Sequence, residues 1–268
     1  MNSSNSLFTI LFIGDIVGLG GRDTVKKLLP DIRREFAVDV VVANGENAAA
    51  GAGITLKTYQ ELIDSGVDVV TSGNHLYHHR EFIKDIDKCE RLLRPANYPA
   101  AAPGRDRIVV DIKGTKIGVL NIMGRVFMDP LDDPFIVAES VVADLRRHTP
   151  IVLLDMHAEA TSEKNAIGFY MDGKVSAVVG THTHIPTADE HILPNGTAFQ
   201  TDTGMVGALY SIIGVQVEPI LKRFLTKVPQ RYEPESKGPM VFNAVAIRVD
   251  KQTGKAESME RIRRLIGL

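Results

Sequence analysis

Short apolar stretches rich in β-branched residues alternate with stretches of helical periodicity in the first third of the chain. Leu7–Ile13 predicts a buried strand. After a glycine loop at 18–21, apolar residues at helical spacing over 22–36 predict a helix that Pro30 should kink or end early. Two more pairs follow, with strands at 38–43 and 68–71 and helices at 55–65 and 78–87. These alternations predict a layered α/β fold rather than a helical bundle.

The rest of the chain adds strands in a different arrangement. Residues 108–112 and 116–122, joined by a glycine turn at 113–115, predict a β-hairpin. One helix and four strands are then predicted at 135–147, 151–155, 175–180, 240–249 and 256–265. No repeat, linker or low-complexity stretch divides the sequence, so a single domain over residues 1–268 is predicted.

Several predicted strands end in short strings of polar residues. The strings hold carboxylate, amide and imidazole groups but no cysteine, and they are Gly14-Asp15, Asn44-Gly45-Glu46-Asn47, Gly73-Asn74-His75, Asp155-Met156-His157 and Gly180-Thr181-His182-Thr183-His184. Since the strands would deliver these groups to one edge of a sheet, the strings predict a site for hard or borderline metal ions. Because both halves of the chain supply strings, both must share the site. Two metal ions with shared ligands would form a hydrolytic centre for phosphate esters.

Each polar string also has a purely structural explanation. Asp15 could equally form a turn or a helix cap after its strand. A β-turn would explain Asn44-Gly45 but not the acidic Glu46 behind it. Asn74-His75 is harder to explain in this way, because strand, glycine, amide and imidazole recur in that order in metallohydrolases.

The histidines divide by their surroundings. His182 and His184 alternate with threonine after a buried strand; on an extended segment such residues face the same side, so both imidazoles could reach one metal cluster. His157 lies just past another buried strand. Four histidines occur in polar stretches where a solvated position is predicted: His78, His79, His148 and His191.

Composition narrows the class of protein. With 268 residues, of which 44% are apolar and 24% charged, the chain can bury a sizeable core and has a soluble globular composition. A net charge of −2 argues against a strongly basic nucleic-acid surface. The single cysteine, Cys89, excludes an internal disulfide and suggests a reducing compartment. The polar start at 1–6 is unlike a signal peptide and the first apolar stretch is too short for a bilayer, so a cytoplasmic protein is predicted.

The polar strings resemble those of the calcineurin-like metallophosphoesterases, which share an Asp near the first strand, a central Gly-Asn-His and a late Gly-His-x-His. The sequence is more similar to the YmdB-like branch of that superfamily. The stretches that carry the resemblance span essentially the whole chain: 13–18, 44–49, 73–75, 94–97, 131–135, 157–163, 179–184 and 201–205. The resemblance implies a four-layer α-β-β-α sandwich in which helices flank two mixed sheets.

Two departures from the wider superfamily are shared with the YmdB-like branch. The usual Asp-x-His is Asp15-Ile16-Val17 here, so one metal ion loses a histidine ligand. The usual bridging Asp is replaced by Glu46, and Asn47 follows as a replacement ligand. In addition, Leu76 rather than an acidic residue follows His75, which leaves the partner that orients His75 open.

The resemblance implies a role for each polar residue. One metal ion would be held by Asp15, Glu46, Asn47 and His184. The other would be held by Glu46, Asn74, His157 and His182, with Glu46 as the bridge. His75 would be the general acid, and a hydroxide between the ions would attack a small phosphodiester, with 2′,3′-cyclic nucleotides as the implied substrate class. Oxygen and nitrogen donors suit iron or manganese, with zinc as an alternative.

Other interpretations stay open from the sequence. A regulatory protein could bind a phosphate ligand or RNA in the same pocket, with turnover incidental. A long RNA footprint is less favoured, because no aromatic and basic run is present. Residues 204–214 are interpreted as core or a subunit contact rather than a lid, and Gly124-Arg125 is left outside the site. The family suggests a homo-oligomer, and no membrane association is predicted.

Overall fold

Two mixed β-sheets lie face to face in the computed structural model, which describes residues 6–268. The first sheet has seven strands in the order β2-β11-β12-β1-β3-β4, with β13 also paired to β12. Its strands are β1 (Leu7–Ile13), β2 (Asp15–Ile16), β3 (Val40–Asn44), β4 (Val69–Thr71), β11 (Met205–Ala208), β12 (Met240–Asp250) and β13 (Ala256–Ile266). The polar start at 1–5 lies outside the described residues.

The second sheet has six strands in the order β5-β6-β7-β8-β10-β9. Its strands are β5 (Arg107–Ile112), β6 (Thr115–Met123), β7 (Val152–His157), β8 (Ala177–Thr181), β9 (His191–Ile192) and β10 (Ala198–Gln200). The four central strands are parallel to one another, whereas β5 and β9 are antiparallel edge strands. In each sheet, therefore, several parallel strands end at the same edge.

Alternate side chains of β1 explain how the layers pack. Phe8 and Phe12 point into the core between the two sheets, whereas Leu11 and Ile13 point into the core beneath the helices α1 and α2. The helices on this side are α1 (Gly18–Glu35) and α2 (Leu56–Asp64). On the far side, α3 (Pro134–Leu145) and α4 (Thr161–Met171) cover the second sheet. The predicted four-layer α-β-β-α sandwich is therefore confirmed.

The first helix begins earlier than the sequence predicts and does not end early at Pro30, and the kink predicted at Pro30 stays a prediction. α1 continues through Pro30 to Glu35 instead of ending early, and Val25, Leu29 and Ile32 hold its inner face in the core. Residues 18–21 were expected to form a loop but make the first turn of α1. Glycine allows this turn to approach the sheet closely, since a Cβ on Gly21 would lie 2.5 Å from the Val206 carbonyl oxygen.

Among the other helix predictions, two are confirmed and one is wrong. Thr55 caps α2 as expected, and its Oγ1 accepts from the Thr58 amide at 3.2 Å. The helix predicted at 78–87 is wrong, because this polar stretch buries only Phe82 and Ile86 and forms two short 3₁₀ helices, Arg80–Lys84 and Ile86–Lys88. The sequence reading missed two helices, α4 and the largely exposed α5 (Val217–Thr226). No helix within residues 6–268 combines the length and apolar character needed to cross a membrane.

The stretch 204–214 is divided between core and surface. Met205–Ala208 forms buried β11 in the first sheet, which agrees with the core interpretation. Beyond it, Tyr210 and Ile213 are exposed. The backbone of Ile213 nevertheless reaches the predicted site, as described below.

Candidate functional site

The structure brings the predicted site residues together where strands of both sheets end. Asp15 follows β1, Glu46 and Asn47 follow β3, and Asn74 and His75 follow β4. From the second sheet, His157 ends β7, and His182 and His184 follow β8. Because these strands are parallel within each sheet, their ends supply the polar groups to one edge of the sandwich.

Glu46 lies at the centre of the group and is fully buried. Its Oε1 is 3.3 Å from Nε2 of His157 and 3.5 Å from Nδ1 of His75. Its Oε2 accepts from the backbone N–H of His75 at 3.1 Å. One carboxylate therefore contacts residues from both sheets.

His157 connects Glu46 to two further predicted residues. Its Nε2 is 3.1 Å from Oδ1 of Asn74 and 3.1 Å from Nδ1 of His182. Each of Glu46, His157 and His182 offers one possible metal-ligand atom, and these three atoms lie within 4.8 Å of one another. This spacing is close enough for a single metal ion to contact all three.

A second group of donor atoms, from Asn47, His184 and Asp15, also adjoins Oε1 of Glu46. Nδ2 of Asn47 is 3.0 Å from Nε2 of His184 and 3.2 Å from Oε1 of Glu46. Nε2 of His184 is in turn 3.9 Å from Oδ1 of Asp15. This Asp15 oxygen is buried and has no hydrogen-bond partner among residues 6–268, although Oδ2 accepts from the His182 amide at 3.1 Å.

His75 stands beside both groups, with 39% of its side chain exposed. Its Nδ1 is 2.9 Å from Oδ1 of Asn47, so Asn47 is the orienting partner that the sequence left open. Burial lowers the pKa of His75, and the opposing charge of Glu46 only partly offsets this effect.

Sequence reasoning missed the residues that orient His157. Thr181 donates its hydroxyl proton to the buried Asp155 at 2.7 Å, so Thr181 Oγ1 accepts from Nδ1–H of His157 at 2.8 Å. In neutral His157 the other nitrogen, Nε2, then presents its lone pair to the site. A signal was available, since Asp155 precedes His157 by two positions and lies on the same face of β7.

The segment that carries His182 and His184 is not extended, contrary to the prediction. Both residues have positive φ angles, 96° and 66°, because β8 ends at Thr181 and the chain turns. The two imidazoles therefore face different partners instead of one shared side. Nδ1 of His184 donates to the carbonyl oxygen of Ile213 at 2.7 Å, so the lone pair is on Nε2, which lies 3.0 Å from Nδ2 of Asn47 and 3.9 Å from Oδ1 of Asp15.

A buried ion pair holds this turn in place. Lys164 Nζ lies 2.7 Å from Oδ2 of Asp202, and both side chains are 1% exposed. The same oxygen accepts from the backbone amide of Thr183 at 3.2 Å and from its hydroxyl at 2.7 Å. Thr183 lies between the two histidines, so Asp202 positions both of them.

Gly73 is the point of closest approach between the two sides of the site. A Cβ built on Gly73 would lie 2.2 Å from Nε2 of His157 and 2.3 Å from Oε2 of Glu46. Any side chain at this position would displace both donor atoms. The glycine of the Gly-Asn-His string is therefore required by the space that the site occupies.

The buried groups also shift one another's protonation. Burial raises the pKa of Asp15 to about 7. Burial opposes the charged forms of Glu46 and His157, but their mutual attraction outweighs it, so the pKa of Glu46 is lowered and that of His157 is raised to about 9. Burial and the charge of His157 lower the pKa of His182 to about 3. A cation bound among these groups would therefore compete with the protons that Asp15 and His157 hold in its absence.

The remaining histidines lie outside this arrangement. His78, His148 and His191 are exposed, as predicted from their polar surroundings, and His79 is half-buried. Arg125, for which no role in the site is predicted, forms an ion pair with Asp133 at 2.5 Å.

Comparisons with known proteins relate the whole chain to a family. A model of the YmdB-like protein family matches residues 11–262. The chain is 47% identical over 253 residues to a Bacillus subtilis (strain 168) protein named 2′,3′-cyclic-nucleotide 2′-phosphodiesterase, covering 94% of this chain and 96% of the relative. A structure described as a novel phosphatase from Mycoplasma pneumoniae superposes with a TM-score of 0.90 at 33% identity, covering 97% of this chain and 94% of that one. A hypothetical protein from Thermus thermophilus gives a TM-score of 0.89 at 41% identity, covering 96% and 99%.

Proposed function

The chain belongs to the YmdB-like protein family, and on this basis we propose that it is a phosphodiesterase that uses two metal ions to hydrolyse small phosphodiesters, with 2′,3′-cyclic nucleotides as substrates. The observation that carries the proposal is the convergence of carboxylate, amide and imidazole donors from both sheets around the buried Glu46. The substrate class comes from the name of the Bacillus subtilis relative.

The oxygen and nitrogen atoms that converge here are suited to bind metal ions. Oδ1 of Asp15 is buried without a hydrogen-bond partner among residues 6–268, and Nε2 of His184, which Nδ2 of Asn47 contacts at 3.0 Å, lies 3.9 Å from it. A buried carboxylate oxygen without a hydrogen-bond donor is costly, and a bound cation would remove that cost. Since the donors are oxygen and nitrogen, we propose iron or manganese, with zinc as an alternative.

The two groups of donors support two ion positions. We assign one ion to Asp15, Glu46, Asn47 and His184. We assign the other to Glu46, Asn74, His157 and His182. Glu46 contacts both groups, which suits a bridging carboxylate. When bound, the two ions would activate a water molecule and offset the charge on the phosphate oxygens.

The orientation of the Asn47 side-chain amide would decide both which of its atoms faces the metal ion and which nitrogen of His75 carries the proton. With the amide turned by 180°, Oδ1 would face His184 and Glu46 as a ligand, and Nδ2 would donate to Nδ1 of His75. A neutral His75 would then carry its proton on Nε2. This is the proton that His75, half-exposed at the edge of the group, would give to the leaving alkoxide.

Hydrolysis of 2′,3′-cyclic AMP with added manganese tests the proposal, with Glu46→Gln, Asp15→Ala and His75→Ala compared with the wild type. His75→Ala should lose about 10²–10⁴-fold in rate, because it lacks the proton donor. Glu46→Gln should also purify with less bound metal, since the bridging charge is gone. His78→Ala is the matched control, because this exposed imidazole lies 6.4 Å from the His75 ring but outside the donor group.

Equal rates for all of these variants would contradict the proposal. Metal analysis of the purified wild type decides between iron, manganese and zinc. The other sequence predictions stay predictions: a cytoplasmic location, a homo-oligomer, and a regulatory role in which the same pocket binds a phosphate ligand or RNA.

A further inference from the structure

A short loop between β6 and α3, residues 124–133, borders the site described above. Its backbone is held by Glu163 of α4, whose Oε1 accepts from the amide of Arg125 at 2.9 Å and whose Oε2 accepts from the amide of Val126 at 3.4 Å. Arg125 also pairs with Asp133 at the other end of the loop. The loop is therefore fixed at both ends rather than free.

The tip of this loop carries a phenylalanine in an unusual backbone conformation. The amide of Met128 donates to the carbonyl oxygen of Arg125 at 3.3 Å, so 125–128 form a β-turn. Phe127 occupies the third position of this turn with φ of 61°, where glycine is the ordinary residue because a Cβ is strained there. Strain of this kind persists where the surrounding structure enforces it, as the contacts of Glu163 do here.

Packing does not explain Phe127. Its side chain is 90% exposed, and it belongs to none of the apolar clusters among residues 6–268. Exposure of a single apolar ring is common by itself, but here it coincides with a backbone conformation that is strained for a residue with a side chain. The ring of Phe127 is therefore a candidate for contact with a ligand.

Phe127 lies next to the proposed metal ligands. Phe127 lines a cavity of about 360 Å³ together with Met128, Asp129, Asn74 and His182. Asn74 and His182 are proposed ligands of one metal ion, so Phe127 stands at the edge of the space that would receive a phosphodiester. In a nucleotide the base is attached to the same ribose as the phosphate, and an aromatic ring beside the phosphate site can contact it.

We propose that Phe127 stacks against the nucleobase of the substrate and thereby favours nucleotides over phosphodiesters without a base. This inference rests on the proposed function and deepens it. Stacking on an aromatic side chain tolerates any base, because each base has a π face. Phe127 would therefore raise the affinity for nucleotides as a class rather than select one base.

The first test compares Phe127→Ala with the wild type on two substrates, 2′,3′-cyclic AMP and ribose 2′,3′-cyclic phosphate, which lacks the base. The loss in kcat/KM should be about tenfold larger for the nucleotide, and it should come mainly from KM. Phe127→Tyr should restore the preference, because it keeps the aromatic face. Phe169→Ala is the matched control, since this phenylalanine of α4 is also exposed but lies outside the cavity.

The second test does not depend on turnover. The chain contains no tryptophan, so Phe127→Trp introduces a single indole whose fluorescence reports directly on stacking. Adenosine 3′-monophosphate should quench this fluorescence in a saturable manner, whereas inorganic phosphate should not. If the wild type hydrolyses neither cyclic substrate, the proposed function fails, and the quenching experiment still decides whether the ring binds a base.

Three results would overturn the inference. The first is an equal loss on both substrates in Phe127→Ala, which would mean that the loop only supports the metal ligands. The second is the absence of quenching by the nucleotide in Phe127→Trp. The third is a change in oligomeric state in Phe127→Ala, measured by light scattering, which would assign the ring to a contact with a second copy of the chain.

Discussion

The two sheets contribute different chemistry to the same site and hold it in different ways. The first sheet supplies mainly carboxylates and amides, and these contact one another directly, as Asn47 contacts Glu46. The second sheet supplies imidazoles, and two of them are held from behind, His157 by Thr181 and His184 by the backbone of Ile213. A carboxylate can accept through either oxygen. An imidazole has its lone pair on one nitrogen only, so its orientation and tautomer must be set by a partner.

The largest loss of activity is expected from a substitution at Gly73, where site residues from the two sheets come closest together. Gly73→Ala would place a methyl group on both Nε2 of His157 and Oε2 of Glu46, so neither donor could keep its position. We expect a loss of at least about 10²-fold in phosphodiesterase rate together with reduced bound metal, because small displacements of reacting groups are costly. Rate and metal content measured on the purified variant check this.

Gly207→Ala is the control for this substitution. A Cβ on Gly207 would meet Val17 at 3.4 Å, which is ordinary contact. The control should therefore retain the wild-type rate. A Gly73→Ala variant with wild-type rate and metal content would show that the two sides do not need to meet as closely as the structure shows.

The second effect concerns the support of the imidazole side. Lys164→Met keeps the length of the side chain but leaves the buried carboxylate of Asp202 without its cation. Removal of one partner from a buried pair costs about 3–5 kcal/mol. We expect the melting temperature to fall by on the order of 10 °C, with a further loss of activity because Thr183 between the two histidines is held less firmly.

An exposed ion pair provides the matched control. Lys174 lies 2.8 Å from Glu139 at the surface, and Lys174→Met should leave the melting temperature nearly unchanged, since solvent screens exposed pairs. Equal shifts in the two variants would mean that the pair of Lys164 and Asp202 contributes no more than a surface contact.

The sequence could predict the donors more readily than their supports. Asp15, Glu46 and His157 follow recognisable strands, and parallel strands bring their ends together, so local pattern was sufficient to collect them. Thr181 contacts His157 only because β7 and β8 pair in a register that places these two residues side by side. That register is set by the pairing of two strands, and the spacing of residues along the chain does not reveal it.

The error at the paired histidines has a similar cause. An alternating His-x-His favours an extended segment, but β8 ends at Thr181 and the contacts of Thr183 with Asp202 turn the chain. Asp202 is distant in sequence from Thr183, and its partner Lys164 lies on α4, a helix that the sequence reading missed. Contacts between distant residues thus overrode the local pattern.

The smallest effect isolates the tautomer of one imidazole. Thr181→Val replaces the hydroxyl with a methyl group of similar size, so Nδ1 of His157 loses its acceptor and Oδ1 of Asp155 loses its donor, while Oδ2 of Asp155 keeps Thr71 and Asn44. Loss of a partner behind a histidine ligand typically weakens metal binding by about 10–100-fold. We expect a loss of about tenfold for one ion only, measured by metal titration. Thr181→Ser, which keeps the hydroxyl, should bind both ions as the wild type does. If Thr181→Val weakened both ions equally, the two sides of the site would not be held independently, and the contrast between them would be wrong.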